Sequence, residues 1–114
     1  MALSYNTMPL QNFSSMEEVK TSIRSASDPV IIVVTQTGCD ACEKQVAELR
    51  KFLFYKASTP IYKIKAQEFN SALPEGYRVE QVPVIYKGHS SYGLKFGKCG
   101  VMPLEEIQSF VGSQ

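Results

Sequence analysis

The sequence predicts an α/β fold: a mixed central sheet, made from a parallel βαβ unit and an antiparallel β-hairpin, with helices on its faces. Three observations carry that prediction. Val30 to Gln36 is apolar and β-branched without alternation, as in a strand covered on both sides. Between it and the next such run, Ile61 to Ala66, lies a segment with helical spacing, and strand–helix–strand order of this kind closes as a right-handed crossover. Further on, Val84 to Tyr86 and Tyr92 to Phe96 flank Gly88-His89-Ser90, which reads as a hairpin turn.

The elements follow in order. Met1 to Phe13 is an N-terminal extension or a first strand, and it lacks the basic start and apolar core of a signal peptide. Ser14 and Ser15 ahead of Glu17 and Glu18 have the pattern of a capping box. Met16, Val19 and Ile23 then repeat at helical spacing, so a helix is expected over about Ser15 to Ala26, broken by Ser27-Asp28-Pro29. After the Val30 strand, Cys42, Val46, Leu49 and Leu53 mark one face of a helix from about Asp40 to Tyr55, which Ser58-Thr59-Pro60 stops. Phe69 and Leu73 suggest a short third helix, ended by Pro74-Glu75-Gly76. Pro103 stands at the first position of a last helix, with Leu104, Ile107 and Val111 as its stripe and Gly112 as its end. No repeat or linker interrupts this order, so the 114 residues are read as a single domain, long enough to bury a core without disulfides or metal.

Composition excludes several function classes. A formal net charge of +1 gives no field that would draw the chain to nucleic acid or an anionic membrane. Lys87, Lys95 and Lys98 cluster around the hairpin, but without interleaved aromatics they read as solvated lysines, and no nucleic-acid partner is expected. No segment approaches the ~20 apolar residues of a membrane span. Three cysteines is an odd number, and two of them are too close together to staple a secreted fold. A reducing, cytoplasmic setting with working thiols fits this usage best.

Cys39-Asp40-Ala41-Cys42 follows directly on the Val30 strand and opens the next helix. A C-x-x-C pair delivered by a strand to the first turn of a helix points to thiol–disulfide chemistry. The competing reading is a zinc site made of Cys39, Cys42, His89 and Cys99, since the ligand types are right. Against it, His89 falls in a turn expected to project from the far end of the hairpin. Neither a metal nor a bound cofactor is expected.

This order of elements, with Cys39-x-x-Cys42 at the first βα junction, Val82-Pro83-Val84 opening a later strand and Phe96-Gly97 before the last helix, resembles the thioredoxin family over about Ser15 to Val111. The resemblance implies the thioredoxin fold and a dithiol–disulfide oxidoreductase, here a protein disulfide reductase. Its partners would be disulfide-containing proteins and an electron donor, either a reductase or a small thiol. Glutaredoxins are the near neighbour. They usually begin with the strand leading into the cysteines, whereas 38 residues precede Cys39, and Gly97-Lys98-Cys99-Gly100-Val101 matches their glutathione-gripping pattern poorly. A glutathione-linked reductase and a non-catalytic binding module on the same fold remain the alternatives.

Within that resemblance Cys39 is the nucleophile and Cys42 the resolving thiol, since the helix N-terminus stabilises a thiolate at the first cysteine. Asp40 either opposes that thiolate by its charge or is a first-turn acid favoured by the helix dipole, and both can hold. The expected Cys39 pKa is roughly 6.5 to 8, that of a reductant more than an oxidant. The resemblance also implies a cis Val82–Pro83 bond opposite Cys39, leaving the Val82 backbone to pair with an extended substrate. The chain departs from the family at three points. Gly38 replaces the usual aromatic residue before the first cysteine, Val33 replaces a buried aspartate, and the dipeptide between the cysteines has no proline. Lys63 matches the lysine that accompanies that aspartate and is expected at the surface, the alternative being a side chain turned toward Cys42. Cys99 is expected on the active-site rim, within ~10 Å of Cys39 given ~4.8 Å between strands. It is either an accessory thiol, able to form a regulatory disulfide or a dimer, or a bystander in a Gly-flanked loop.

Overall fold

A computed structural model describes residues 10–56, 58–71 and 78–113. Ser15 caps the first helix, its hydroxyl accepting from the Glu18 N–H at 3.4 Å, while the Glu18 carboxylate accepts from the Ser14 N–H at 2.7 Å. That reciprocal pair satisfies donors the helix start leaves open. It fixes where the chain turns from β1 (Gln11–Phe13) into α1 (Met16–Arg24). Next come β2 (Val30–Thr35), α2 (Asp40–Tyr55), β3 (Ile61–Lys65) and the short α3 (Ala66–Asn70). The hairpin β4 (Val84–His89) and β5 (Gly93–Cys99) leads to α4 (Leu104–Gly112). Leu73 and Pro74-Glu75-Gly76, read from the sequence as the end of the third helix, lie outside the described residues, as do residues 1–9.

Among the described residues five strands form one sheet, in the order β1-β3-β2-β4-β5. β1, β3 and β2 are mutually parallel, while β4 and β5 run antiparallel to their neighbours. β2 is the central strand and is buried along its whole length, the condition its unalternating apolar sequence requires. Its side chains divide two cores. Val30, Ile32 and Val34 pack with Met16, Val19 and Ile23 of α1 and Phe69 of α3. Ile31 and Val33 pack with Leu49 and Phe52 of α2 and Ile107 and Val111 of α4. Among the described residues no helix is long and apolar enough to cross a membrane.

Four details differ from the sequence expectation, each for a physical reason. Gly88 is a strand residue, not a turn residue. A Cβ there would stand 2.9 to 3.1 Å from the side chains of Ile23, Ile32 and Val30, so glycine lets β4 lie against α1. The turn is Ser90 to Tyr92, and Gly93, with φ +74°, opens β5. Pro103 is the N-cap of α4, in extended conformation, one position before the expected start. Lys87 is not solvated: it is 1% exposed, and its Nζ donates to the carbonyls of Phe110 and Ser113 at 2.7 and 2.8 Å and to the Ser113 hydroxyl at 3.0 Å. A buried ammonium needs such acceptors, and the open carbonyls at the end of α4 supply them.

Candidate active site

Cys39 is the N-cap of α2. Its backbone is extended, and its sulfur accepts the Cys42 N–H at 3.1 Å. One turn of helix brings the two residues to a Cα separation of 5.2 Å, and their sulfurs are joined in a disulfide. Cys39 is half-buried, whereas Cys42 is 3% exposed under the helix. Asp40 and Glu43 occupy the first turn, where unpaired N–H groups favour acids, so the first-turn reading of Asp40 has a structural basis. Gly38 has φ +74°, and a Cβ there would meet nothing within 4 Å. The backbone explains this residue: the turn that carries the chain from β2 into α2 uses a left-handed position that glycine adopts at no steric cost.

Facing the disulfide from the β4 side is the Val82–Pro83 peptide bond, which is cis. The Val82 carbonyl oxygen lies 4.0 Å from the Cys39 sulfur. The Pro83 carbonyl accepts from the Gly100 N–H at 2.8 Å, tying the start of β4 to the chain leaving β5. Cys99 pairs with Val84 across the hairpin, is exposed, and has its sulfur 3.7 Å from the Gln81 carbonyl oxygen. Burial first, and then the charge of the Cys99 thiolate, pushes the Tyr86 hydroxyl above its ordinary range. Cys39 and Cys99 therefore both border the Val82–Val84 segment.

Lys63 departs from the expected surface position. It is half-buried, paired in register with Val33, and it lines a cavity of about 230 Å³ together with Thr35, Gln36, Cys39, Cys42 and Glu43. The zinc reading fails on geometry. His89 ends β4, its ring within 3.0 Å of the Ser27 carbonyl and 2.8 Å of the Ser91 hydroxyl. Cys99 pairs with the opposite end of that strand. Among the described residues no three His, Cys, Asp or Glu side chains converge to hold an ion.

Sequence reading missed two supporting residues on α2. Gln45 is fully buried, its amide donating to the Met102 carbonyl at 3.1 Å and accepting from the Met102 N–H at 2.6 Å. Glu48 accepts the Leu104 N–H at 2.9 Å, and Lys51 and then that N–H hold its carboxyl below the usual range. Together they bracket the β5–α4 connection to the helix that carries the disulfide. The signal was a glutamine inside the buried stripe Cys42, Gln45, Leu49, Phe52, which the apolar letters alone had assigned to Val46 and Leu53.

No family model matches this chain, and no curated protein sequence does. Solved structures do match. A chloroplastic thioredoxin z superposes with a TM-score of 0.76 at 22% identity, over 95% of this chain and 96% of that one. Oxidised mitochondrial thioredoxin 3 of Saccharomyces cerevisiae gives 0.73 at 18% identity, over 90% and 92%. A thioredoxin of Trypanosoma brucei brucei gives 0.72 at 16%, over 99% and 100%. At these identities the likeness is one of backbone, and it shows that the chain has the thioredoxin fold.

Proposed function

We propose that this protein is a dithiol–disulfide oxidoreductase, acting as a reductase of protein disulfides. One observation carries the reading: a disulfide capping α2, with the Cys39 sulfur half-buried, the Cys42 sulfur beneath it, and the Val82 carbonyl 4.0 Å away beside a cis prolyl bond. In the reduced protein Cys39 attacks a substrate disulfide as a thiolate, favoured by the helix dipole and by the Cys42 N–H that here meets its sulfur at 3.1 Å. A mixed disulfide forms, and one substrate sulfur leaves as a thiol. The Cys42 thiolate then attacks the Cys39 sulfur, releases the second substrate thiol, and regenerates the bond seen here.

Further roles follow from the same reading. Val82 and Pro83 form the wall along which an extended substrate segment lies, using the Val82 backbone. Gly38 leaves the opposite lip free of side chain, and Asp40 moderates the Cys39 thiolate. Lys63, in the cavity with Cys42, favours the resolving thiolate by its charge. The partners are disulfide-bearing proteins and a thiol electron donor, in a reducing compartment such as the cytoplasm. Cys99, beside the substrate wall, is an accessory thiol.

The test is insulin reduction with dithiothreitol as donor. The parent chain is expected to turn over, and Cys39→Ser is expected to reduce the rate to background. Cys42→Ser, reduced and then freed of dithiothreitol, is expected to trap a mixed disulfide with the substrate, visible as a mass adduct. Absence of turnover in the parent chain would leave only a binding module on this fold.

A further inference from the structure

The substrate segment proposed above must fit between two walls that come from distant parts of the chain. Cys39 caps α2, whereas Val82 and Pro83 precede β4. The β2–β4 ladder joins these parts as far as the Val34–Val84 pair and ends there. Strand pairing therefore does not reach the 4.0 Å gap between the Cys39 sulfur and the Val82 carbonyl oxygen. The connection from β5 to α4, Gly100 to Pro103, spans that gap from behind.

Gly100, with φ +105°, turns the chain out of β5 in a conformation that glycine adopts at no steric cost. Its N–H donates to the Pro83 carbonyl at 2.8 Å. Met102 lies outside both β5 and α4, so its backbone N–H and C=O must find partners beyond a ladder or a helix. Gln45 takes both: its Oε1 accepts the Met102 N–H at 2.6 Å, and its Nε2 donates to the Met102 carbonyl at 3.1 Å. Gln45 is fully buried and stands in the stripe of α2 one turn after Cys42. An apolar side chain of that size would fill the same space without burying an amide, so packing alone gives no reason for glutamine. Glu48, a further turn along, accepts the Leu104 N–H at 2.9 Å. The connection is thus bonded to the substrate wall at Pro83 and to the disulfide helix at Gln45 and Glu48.

We infer that Gln45 is a positioning residue for the proposed exchange: through Met102 and Gly100 it holds the Val82–Pro83 wall at its working distance from Cys39. The inference rests on the proposed oxidoreductase chemistry and deepens it by naming what sets the width of the substrate groove. The Gln45 amide bonds to Met102, not to either sulfur. The start of α2 stabilises the Cys39 thiolate whatever the connection does. Attack on a small disulfide needs that sulfur alone. A protein disulfide must also seat its extended segment against the Val82 backbone, and a shift of about 1 Å in a positioning surface can cost on the order of a hundredfold in rate. Release of Met102 from Gln45 therefore penalises protein substrates and spares small ones. A glutamine that served the fold alone would lower stability on removal and leave that selectivity unchanged.

The experiment uses Gln45→Met in the full chain, which keeps the side-chain volume and removes both bonds to Met102. Insulin reduction with dithiothreitol as donor gives kcat and KM. Reaction of the reduced chain, freed of dithiothreitol, with hydroxyethyl disulfide gives the small-substrate rate. KM for insulin is expected to rise about tenfold, while kcat and the small-substrate rate stay within about twofold of the parent. Amide exchange should accelerate more at Gly100, whose acceptor is on Pro83 and not on Gln45, than at Val33 in β2. Glu48→Ala releases the same connection at Leu104. It is expected to raise KM about threefold, and it carries the test should Gln45→Met not fold. Lys87→Met, which acts at the other end of α4, is the control for lost stability and is expected to keep the parent KM. An unchanged KM in the folded variant, a like rise in Lys87→Met, or equal losses with insulin and hydroxyethyl disulfide overturns the positioning role. A parent chain that reduces neither disulfide overturns the oxidoreductase reading, and this inference with it.

Discussion

Lys63 and Lys87 stand on the two strands that flank β2, opposite Val33 and Ile31, and both lie on the face covered by α2 and α4. Their circumstances differ. Lys87 is sealed in, with three acceptors from the end of α4 and the Phe110 ring 5.0 Å from its Nζ. Lys63 is half-buried at the other end of the same face, its side chain has no hydrogen bond or ion pair among the described residues, and it borders the space around Cys42. One cation closes the fold where a helix ends. Its counterpart is left with unused capacity where the chemistry is proposed. The lesson is that a charged residue in an apolar strand is structural when the fold brings it acceptors, and a candidate for function when it does not.

Substitutions at these positions test the contrast. Lys87→Ala removes the three hydrogen bonds that tie β4 to the end of α4 and opens a cavity, so a loss of about 3 kcal/mol or more is expected from urea unfolding. Gln45→Ala, which orphans both backbone groups of Met102 but removes no charge, is expected to cost about 2 kcal/mol on the same measurement. Lys63→Met should change stability by no more than about 0.5 kcal/mol, and slow the alkylation of reduced Cys42. A stability loss for Lys63→Met as large as that for Lys87→Ala would erase the distinction.

The smallest effect is in the pH dependence. Burial, and then the charge of Lys95, holds the Lys87 ammonium below its ordinary value of 10.5. The unfolded chain therefore binds more protons than the folded one between the lowered folded value and 10.5, and stability from this group rises with pH across that window. Below the window the cost of the buried charge is present in full. The denaturant midpoint of the parent chain is expected to rise relative to that of Lys87→Met from neutral pH into that range, and a constant difference would mean that Lys87 is wetter than its contacts indicate.

The parts of the fold legible in the sequence were those set by local chemistry. The Ser14–Glu18 cap, the apolar run of β2 and the breaks at Pro29 and Pro60 each act within a few residues. Cys39 at the mouth of α2 was legible for the same reason: strand, turn and helix adjoin in sequence. Lys87 and Gln45 were not, because the groups that make their burial tolerable lie 23 and 57 residues away. Read locally, a lysine beside a turn belongs in water, and a glutamine in a helix belongs on its wet side. Gly88 misled in the same way, since its reason is the side chains of Ile23, Ile32 and Val30 packed against it, not a bend in its own chain. Lys63 sits between these cases. Its strand was readable, but the cavity beside it is formed by α2 and the ends of two strands.

The two outer strands of the sheet bear on how this chain behaves when crowded. β1 has only three residues, and β5 carries Lys95 and Lys98, with its register broken opposite Ile85 and Tyr86. Short length, like charge and an interrupted ladder each spoil the flat, continuous row of amide groups that a neighbouring molecule's backbone needs for growth into a fibril. The exposed Phe96 ring can therefore sit on β5 without making that border a seed for aggregation.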